Sequence, residues 1–334
     1  MINSSPPLLQ QYRALLKLHS AVQNEKQNGA VMEECELPLI DIRCLINAGC
    51  KDGNNEKERV ACMEAICQAS SEWGFFQVVN HGISPKLLRG MRAEQIKLFE
   101  TSFEKKSTCG LLNNSYRWGN QAASNPIQFS WSEAFHVPLT KISEDTCYGE
   151  FTSLRDVMQE IAGAMSRLAS LLANVLAERL CSQRRPFEEI TCFLRLNHYL
   201  PCPASVEMHG LVTHTDSDFL TILCQDHVGG LQLMKDSKWV AVKPMPDALI
   251  VNIGDLFQVW SNNIYKSVYH RVMANDKADR YSIAYFLCPS NDTLIGSCKE
   301  PSVYRKFTFG QYRNQIQRDT KETGSKVGLP RFLL

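Results

Sequence analysis

The sequence predicts an α+β fold, with a helical N-terminal half packed against a β-rich C-terminal half. Two observations carry this. Apolar residues recur at helical spacing through 56–72 and 154–180, and after Cys192 short apolar runs alternate with turn signals. No internal repeat or low-complexity tract divides the chain, so one cooperative unit is expected.

The elements follow in order. Residues 1–35 are polar and mixed, with one weakly apolar stretch at 14–18, and predict a flexible N-terminal arm. Residues 36–185 form a helical N-terminal region. It opens with a short strand at 37–42. Val60, Met63, Ile66 and Cys67 then mark an amphipathic helix. The aromatic and β-branched run 74–80 reads as a strand. Ser84-Pro85 reads as an N-cap followed by proline in the first turn, starting a helix to about residue 105. Residues 107–150 have no sustained period and predict loop or irregular strand, long enough to imply a purpose. From Leu154 the apolar positions fall mostly at steps of three and four to Leu180, the clearest helix in the chain.

Residues 186–300 carry strand signals at 192–199, 219–224, 230–234, 239–242, 248–253, 267–272 and 281–287. Their spacing indicates an antiparallel sandwich or barrel. Residues 301–334 add a C-terminal helix at 309–322 and a tail.

Composition excludes several function classes. Lys plus Arg is 36 against 35 for Asp plus Glu, so neither nucleic acid nor an anionic membrane is an expected partner. No apolar run approaches the ~18 residues needed to span a bilayer. The start, Met-Ile-Asn-Ser-Ser-Pro-Pro, shows no secretory signal. The 13 cysteines are odd in number and form no C-x-x-C pair, which fits an enzyme with reduced thiols in the cytoplasm or shared with the nucleus.

Three groups of residues carry chemistry. His214-Thr215-Asp216 stands before the 219–224 strand, and in extended chain His214 and Asp216 share a side. His270, 54 residues after Asp216, supplies a second imidazole. Two His and one carboxylate on one face of an ion leave three positions open, as in non-haem Fe(II) oxygenases. A catalytic zinc site can use the same set. Arg280-Tyr281-Ser282 decides between them. A guanidinium with a hydroxyl two residues on suits bidentate capture of a carboxylate, as a 2-oxoglutarate cosubstrate requires, and a zinc hydrolase has no use for it. Arg195, Asn197 and Tyr199 share a strand face. Tyr199 is a candidate donor to the cosubstrate, and Asn197 a residue that orders the site. Arg280 is the candidate catalytic group among them, through its hold on the cosubstrate.

These motifs, with Asn80-His81-Gly82, resemble the plant 2-oxoglutarate- and Fe(II)-dependent dioxygenases over residues 37–332. Finer segments are similar to the gibberellin 2-beta-dioxygenases, most of all those acting on twenty-carbon gibberellins. These are Tyr116-Arg117-Trp118-Gly119, the run from Phe129 through Trp131, Glu133, Phe135 and His136, Leu196-Asn197-His198-Tyr199, and the tail from Tyr304 through Phe307 and Phe309 to Tyr312. Two positions depart from the pattern: Tyr269 stands where an acidic residue is usual, and Cys224 where an aromatic is common.

The resemblance implies a distorted double-stranded β-helix, or jelly roll, with flanking α-helices. It implies Fe(2+) held by His214, Asp216 and His270, and 2-oxoglutarate anchored by Tyr199, Arg280 and Ser282, with ascorbate as reductant. The implied reaction is 2-beta-hydroxylation of a gibberellin by dioxygen, inactivating the hormone, coupled to decarboxylation of the cosubstrate to succinate and CO2. The alternative keeps the site but takes a flavonoid or other specialised metabolite. A gibberellin is a rigid apolar acid, so its pocket should be mostly apolar with one cationic or donor group for the carboxylate.

The remaining candidates have plainer expected roles. His209 is a decoy beside His214. His81 and His136 are expected in packing, and His19, His198 and His227 on the polar surface. Asp218 is expected in a turn or beside the metal. Arg117 and Trp118 are candidates for the substrate pocket, Trp118 equally for the core.

Overall fold

The structure, a computed structural model, describes residues 6–20, 33–46, 53–108, 110–120, 123, 125, 128–181, 191–202 and 208–334. Its strands are β1 Glu34–Cys35, β2 Leu39–Asp41, β3 Phe75–Val79, β4 Tyr116–Trp118, β5 Glu133–Pro138, β6 Phe193–Tyr199, β7 His209–His214, β8 Leu220–Gln225, β9 Leu231–Lys235, β10 Lys238–Val242, β11 Leu249–Ile253, β12 His270–Met273, β13 Arg280–Leu287, β14 Leu294–Ile295 and β15 Phe307–Thr308. Eight of them join in the order β2-β3-β11-β8-β13-β6-β5-β4, and five in the order β1-β10-β9-β12-β7. Pairing is antiparallel except for β1 with β10 and β2 with β3. Phe75, Tyr199 and Ile250 of the large sheet pack on Leu231, Leu233, Val240 and Val272 of the small one, closing a jelly-roll sandwich. β11 lies inside the large sheet with all five residues buried, which explains its unbroken apolar run around Asn252.

The helices are α1 Leu9–Ser20, α2 Arg43–Ile46, α3 Gly53–Glu72, α4 Pro85–Phe99, α5 Phe103–Thr108, α6 Thr152–Leu180, α7 Asp255–Trp260 and α8 Phe309–Thr323. The apolar stripe of α6 is core, packed on α3, α4, β8 and β13. Ser84 caps α4 by accepting from the Lys86 N–H, with Pro85 in the first turn. The capping box of Thr308 and Gln311 starts α8, and Gly324 ends it in the left-handed region.

Two expectations change, and a third gains detail. The helix begun at Pro85 stops at Phe99, because Ser102 caps a new helix with its hydroxyl on the Lys105 N–H. The break also leaves the Phe99 carbonyl free to accept from Lys106 Nζ at 2.8 Å. The N-terminal arm is ordered at α1, where Tyr12 is buried and stacks on Phe129 at 4.0 Å. Residues 21–32 of that arm lie outside the described residues. Within 107–150 the chain forms β4 and β5, which extend the large sheet beyond β6.

Candidate active site

His214 does not begin the strand that follows it. It ends β7 in the small sheet, whereas β8 belongs to the large one, and Asp216 sits on the chain crossing between them. This crossing, rather than alternation along one strand, brings Asp216 beside His214. His270 begins β12 and pairs directly across from His214. Donor atoms of the three residues lie within 4.8 Å of one another. Asp216 Oδ1 is 3.6 Å from His214 Nε2 and 3.8 Å from His270 Nε2.

The rest of each side chain is tied back. His214 Nδ1 is 2.8 Å from the Val212 carbonyl and His270 Nδ1 is 3.1 Å from the Val268 carbonyl. A carbonyl accepts only, so each Nδ1 holds the proton and each Nε2 presents a lone pair. Asp216 Oδ2 accepts from Asn252 Nδ2 at 2.7 Å and Thr221 Oγ1 at 2.6 Å, leaving Oδ1 to face the imidazoles.

The electrostatics agree with a cation site. Burial, then His270, pushes His214 down to about 3, so it stays neutral. Burial acts to raise Asp216, but His270, His214, Thr221 and Asn252 outweigh it and hold the carboxyl at about 2. Asp218 is pushed well up, by burial and then by Asp216. Thr221 Oγ1 lies 2.9 Å from Asp218 Oδ2 and has one proton, already directed to Asp216. The three groups are satisfied together when Asp218 is protonated and donates to Thr221. Asp218 thus stands beside the donor set, as expected of it.

Arg280 and Ser282 face the same space from β13. Arg280 pairs with Tyr199 of β6, and Ser282 with Asn197. Arg280 is 1% exposed and its guanidinium lies 4.7 Å over the Tyr199 ring. One nitrogen donates to Gln225 Oε1 at 2.9 Å, while Nε and another terminal nitrogen have no partner among the described residues. A buried cation with two open N–H groups and no carboxylate calls for an anion. Asn197 donates to Ser282 Oγ at 3.2 Å, so Asn197 orders the clamp. Gln95 of α4 donates to both the Asn197 and Ser282 carbonyls at 3.0 Å, stapling β6 to β13. Two glycines make room. A Cβ at Gly210 would stand 2.6 Å from the Tyr199 ring, and one at Gly230 would stand 2.8 Å from the Met273 carbonyl.

Both groups open into one cavity of about 420 Å³ between the sheets. Arg117 and Trp118 do not line it. Arg117 is exposed, and Trp118 packs edge-on to Trp131 at 5.3 Å. His209 is outside the donor set and lies 3.5 Å from Arg271. His198 is not on the surface. It is buried between Glu133 and Asp279, 2.7 Å from each. Its neighbours in sequence are polar or aromatic, and only the register of β5 on β6 reveals the acid opposite it. Asn252 and Thr221 escape sequence reasoning as well. One polar residue inside a wholly apolar strand is the signal that marks Asn252. Thr221 is an ordinary strand residue and carries none.

Residues 190–289 match the model of the 2OG-Fe(II) oxygenase superfamily, and residues 37–155 that of the non-haem dioxygenase in morphine synthesis N-terminal. Among solved structures, JOX2 in complex with 2OG, Fe and JA superposes with a TM-score of 0.74 at 29% identity, covering 96% of this chain and 97% of that one. Rice dioxygenase for auxin oxidation follows at 0.71 and 28%, covering 89% and 100%. Iron(II) and 2-oxoglutarate are therefore the cofactor and cosubstrate that this site serves. The chain is 55% identical to gibberellin 2-beta-dioxygenase 6 of Oryza sativa subsp. japonica, over 98% of this chain and 95% of the relative. It is 54% identical to gibberellin 2-beta-dioxygenase 8 of Arabidopsis thaliana, over 91% and 89%. The chain belongs to the 2OG-Fe(II) oxygenase superfamily and, with these relatives, to its gibberellin 2-beta-dioxygenase family. Among the described residues no helix is long and apolar enough to cross a membrane.

Proposed function

We propose that this enzyme hydroxylates a gibberellin on the beta face of C2, with twenty-carbon gibberellins as the preferred class, and so inactivates the hormone. The reaction consumes dioxygen and 2-oxoglutarate and releases succinate and CO2, with ascorbate keeping the metal reduced. The observation that carries the substrate is 55% identity along nearly the whole chain to a gibberellin 2-beta-dioxygenase.

In this reading His214 Nε2, Asp216 Oδ1 and His270 Nε2 hold iron(II), and Arg280, Ser282 and Tyr199 hold the far carboxylate of the cosubstrate. The donor set fits, being two imidazoles and one carboxylate whose ligand atoms lie within 4.8 Å of one another. The clamp fits through the two unpartnered nitrogens of Arg280. Iron with its cosubstrate and dioxygen supplies an oxidant strong enough to take hydrogen from an unactivated C–H bond. The chain's own residues do the rest. Thr221 and Asn252 fix the rotation of Asp216, and the Val212 and Val268 carbonyls fix each imidazole tautomer. The Tyr199 ring supports the guanidinium that orients the cosubstrate. The apolar walls exclude water and present one carbon of a rigid substrate. The odd, unpatterned set of thiols supports a cytoplasmic enzyme.

The test incubates the purified protein with Fe(II), 2-oxoglutarate, ascorbate and air, with a panel of twenty- and nineteen-carbon gibberellins and flavonoids. The expected result is a 2-beta-hydroxylated gibberellin by mass spectrometry, with one succinate per product. Product from a flavonoid alone, or no gibberellin product, overturns the assignment.

A further inference from the structure

The metal and the cosubstrate clamp leave one end of the cavity unexplained. Arg195 stands on β6 four residues from Tyr199, on the same face, so it lies roughly 13 Å along the strand from the clamp. Its half-buried side chain lines the cavity. No hydrogen bond or ion pair engages it among the described residues. Arg313, in the second turn of α8, lines the same cavity. Among the described residues it hydrogen-bonds to Asn291 Oδ1, at 3.3 Å, and lies 5.7 Å from the Phe309 ring centre.

Among the described residues no acid balances this end. The carboxylates lining the cavity are Asp216 and Asp218, both at the metal. His136, stacked on Phe193 at 3.9 Å, joins the lining without a countercharge. Desolvation, then the charges of Arg195, Arg313 and Arg117, pushes it down to about 4, so it is neutral beside the two guanidiniums that line the cavity with it. The wall is otherwise largely apolar, with Leu211, Leu223, Phe286 and Ile316 among its residues.

We propose that Arg195 and Arg313 form the subsite that receives the carboxylate of an apolar acid substrate, so that its ring system spans toward His214, Asp216 and His270. Naming that acid as a gibberellin rests on the function proposed above. The subsite itself rests on the unpaired cations. Arg280 cannot serve this purpose, because it lies at the opposite end of the β6–β13 pairing and is committed to the cosubstrate. Two guanidiniums at one end and a metal at the other give a rigid acid one orientation, and orientation decides which carbon is oxidised.

The experiment compares each acid with its methyl ester, which keeps the shape and removes the charge. Binding to the iron- and 2-oxoglutarate-loaded protein is measured by calorimetry under argon, for wild type, Arg195→Met and Arg313→Gln. Wild type should bind the acid at least ~30-fold more tightly than the ester, the value of a charge-assisted hydrogen bond. Arg195→Met should bring that ratio below about threefold, and Arg313→Gln should lower it partly. Under air, KM for the acid should rise with kcat nearly unchanged, while the KM for 2-oxoglutarate stays at its wild-type value. Arg313 is at the mouth, so Arg313→Gln keeps the proposal testable if Arg195→Met fails to fold. An acid preference that survives both substitutions overturns the subsite even if gibberellins are hydroxylated. If no gibberellin binds, the same pairs are run with other ring-bearing acids. A preference that collapses in Arg195→Met then upholds the subsite while the gibberellin reading falls, and no preference for any acid overturns the subsite.

Discussion

Strands β6 and β13 carry two buried charge clusters, one along each side of their shared register. On one side Lys106 donates to Glu133, Glu133 also accepts from Tyr116 at 2.6 Å, and His198 bridges Glu133 to Asp279. On the other side Arg280 keeps two nitrogens without partners among the described residues. Lys106 and Arg280 are equally hidden, at 2% and 1% exposed. What separates them is the state of their valences. The first cluster closes on itself and needs nothing from outside. The second is closed only when an anion enters. A buried charge is thus a sign of function only after its partners have been counted.

The two clusters should respond to substitution in different ways. Arg280→Gln removes the open cation and should raise KM for 2-oxoglutarate by roughly a hundredfold or more, the effect of two charge-assisted bonds. Its melting temperature should hold or rise, since an unpaired buried cation is lost. Unchanged KM would remove Arg280 from the clamp. Next in size, Asn252→Ala frees one side of Asp216 Oδ2 and should weaken metal binding roughly 10- to 100-fold, read by titration with Fe(II) under argon. Affinity for 2-oxoglutarate in the metal-free protein should not change. Glu133→Gln acts on the closed cluster and reverses the pattern. It strands Lys106 in the interior and should cost about 3 kcal/mol of stability or more in a urea titration, with KM for 2-oxoglutarate near wild type. A raised KM with unchanged stability would erase the contrast between the two sides.

The same distinction explains what the sequence could disclose. His214 with Asp216, and Arg280 with Ser282, stand two residues apart, so each pair is legible in the sequence, while His270, 54 residues beyond Asp216, joins them through the family resemblance. The way they converge is not legible. Asp216 reaches His214 because the chain crosses from one sheet to the other between β7 and β8, and no periodicity spans a crossing of five residues. Strand β7 carries no sequence signal for a related reason: His209, Gly210 and Thr213 interrupt any apolar alternation, and the backbone is held by pairing with β12. Tyr12 likewise owes its burial to Phe129 and Trp131, more than a hundred residues away. His198 looked like a surface residue because its acid partners come from β5 and from the turn before β13. Pairwise partners distant in sequence are the part of a site that spacing cannot carry.

His198 offers the smallest test, and the most specific to the closed cluster. Burial acts to lower its pKa, but the hydrogen bonds to Asp279 and Glu133 outweigh it and hold it above its ordinary 6.5. The groups facing it are Glu133 and Asp279, with Lys106 and Tyr116 sharing Glu133, and Tyr281 stacked on its ring at 4.5 Å. A base whose folded pKa is raised contributes stability that is complete below its unfolded value and is lost as pH climbs through the folded one. Wild type should therefore lose a few degrees of melting temperature relative to His198→Gln as pH rises from below 6.5 through the raised value. The loss should shrink in Asp279→Asn, where one of the two acids is gone and Glu133 remains. KM for 2-oxoglutarate should stay flat across the same range, because the clamp is built on a guanidinium and not on an imidazole. A KM that moved with the melting temperature would mean that the two sides of β6 and β13 are one electrostatic unit, and the division drawn between a cluster that holds the fold and a cluster that awaits its ligand would fail.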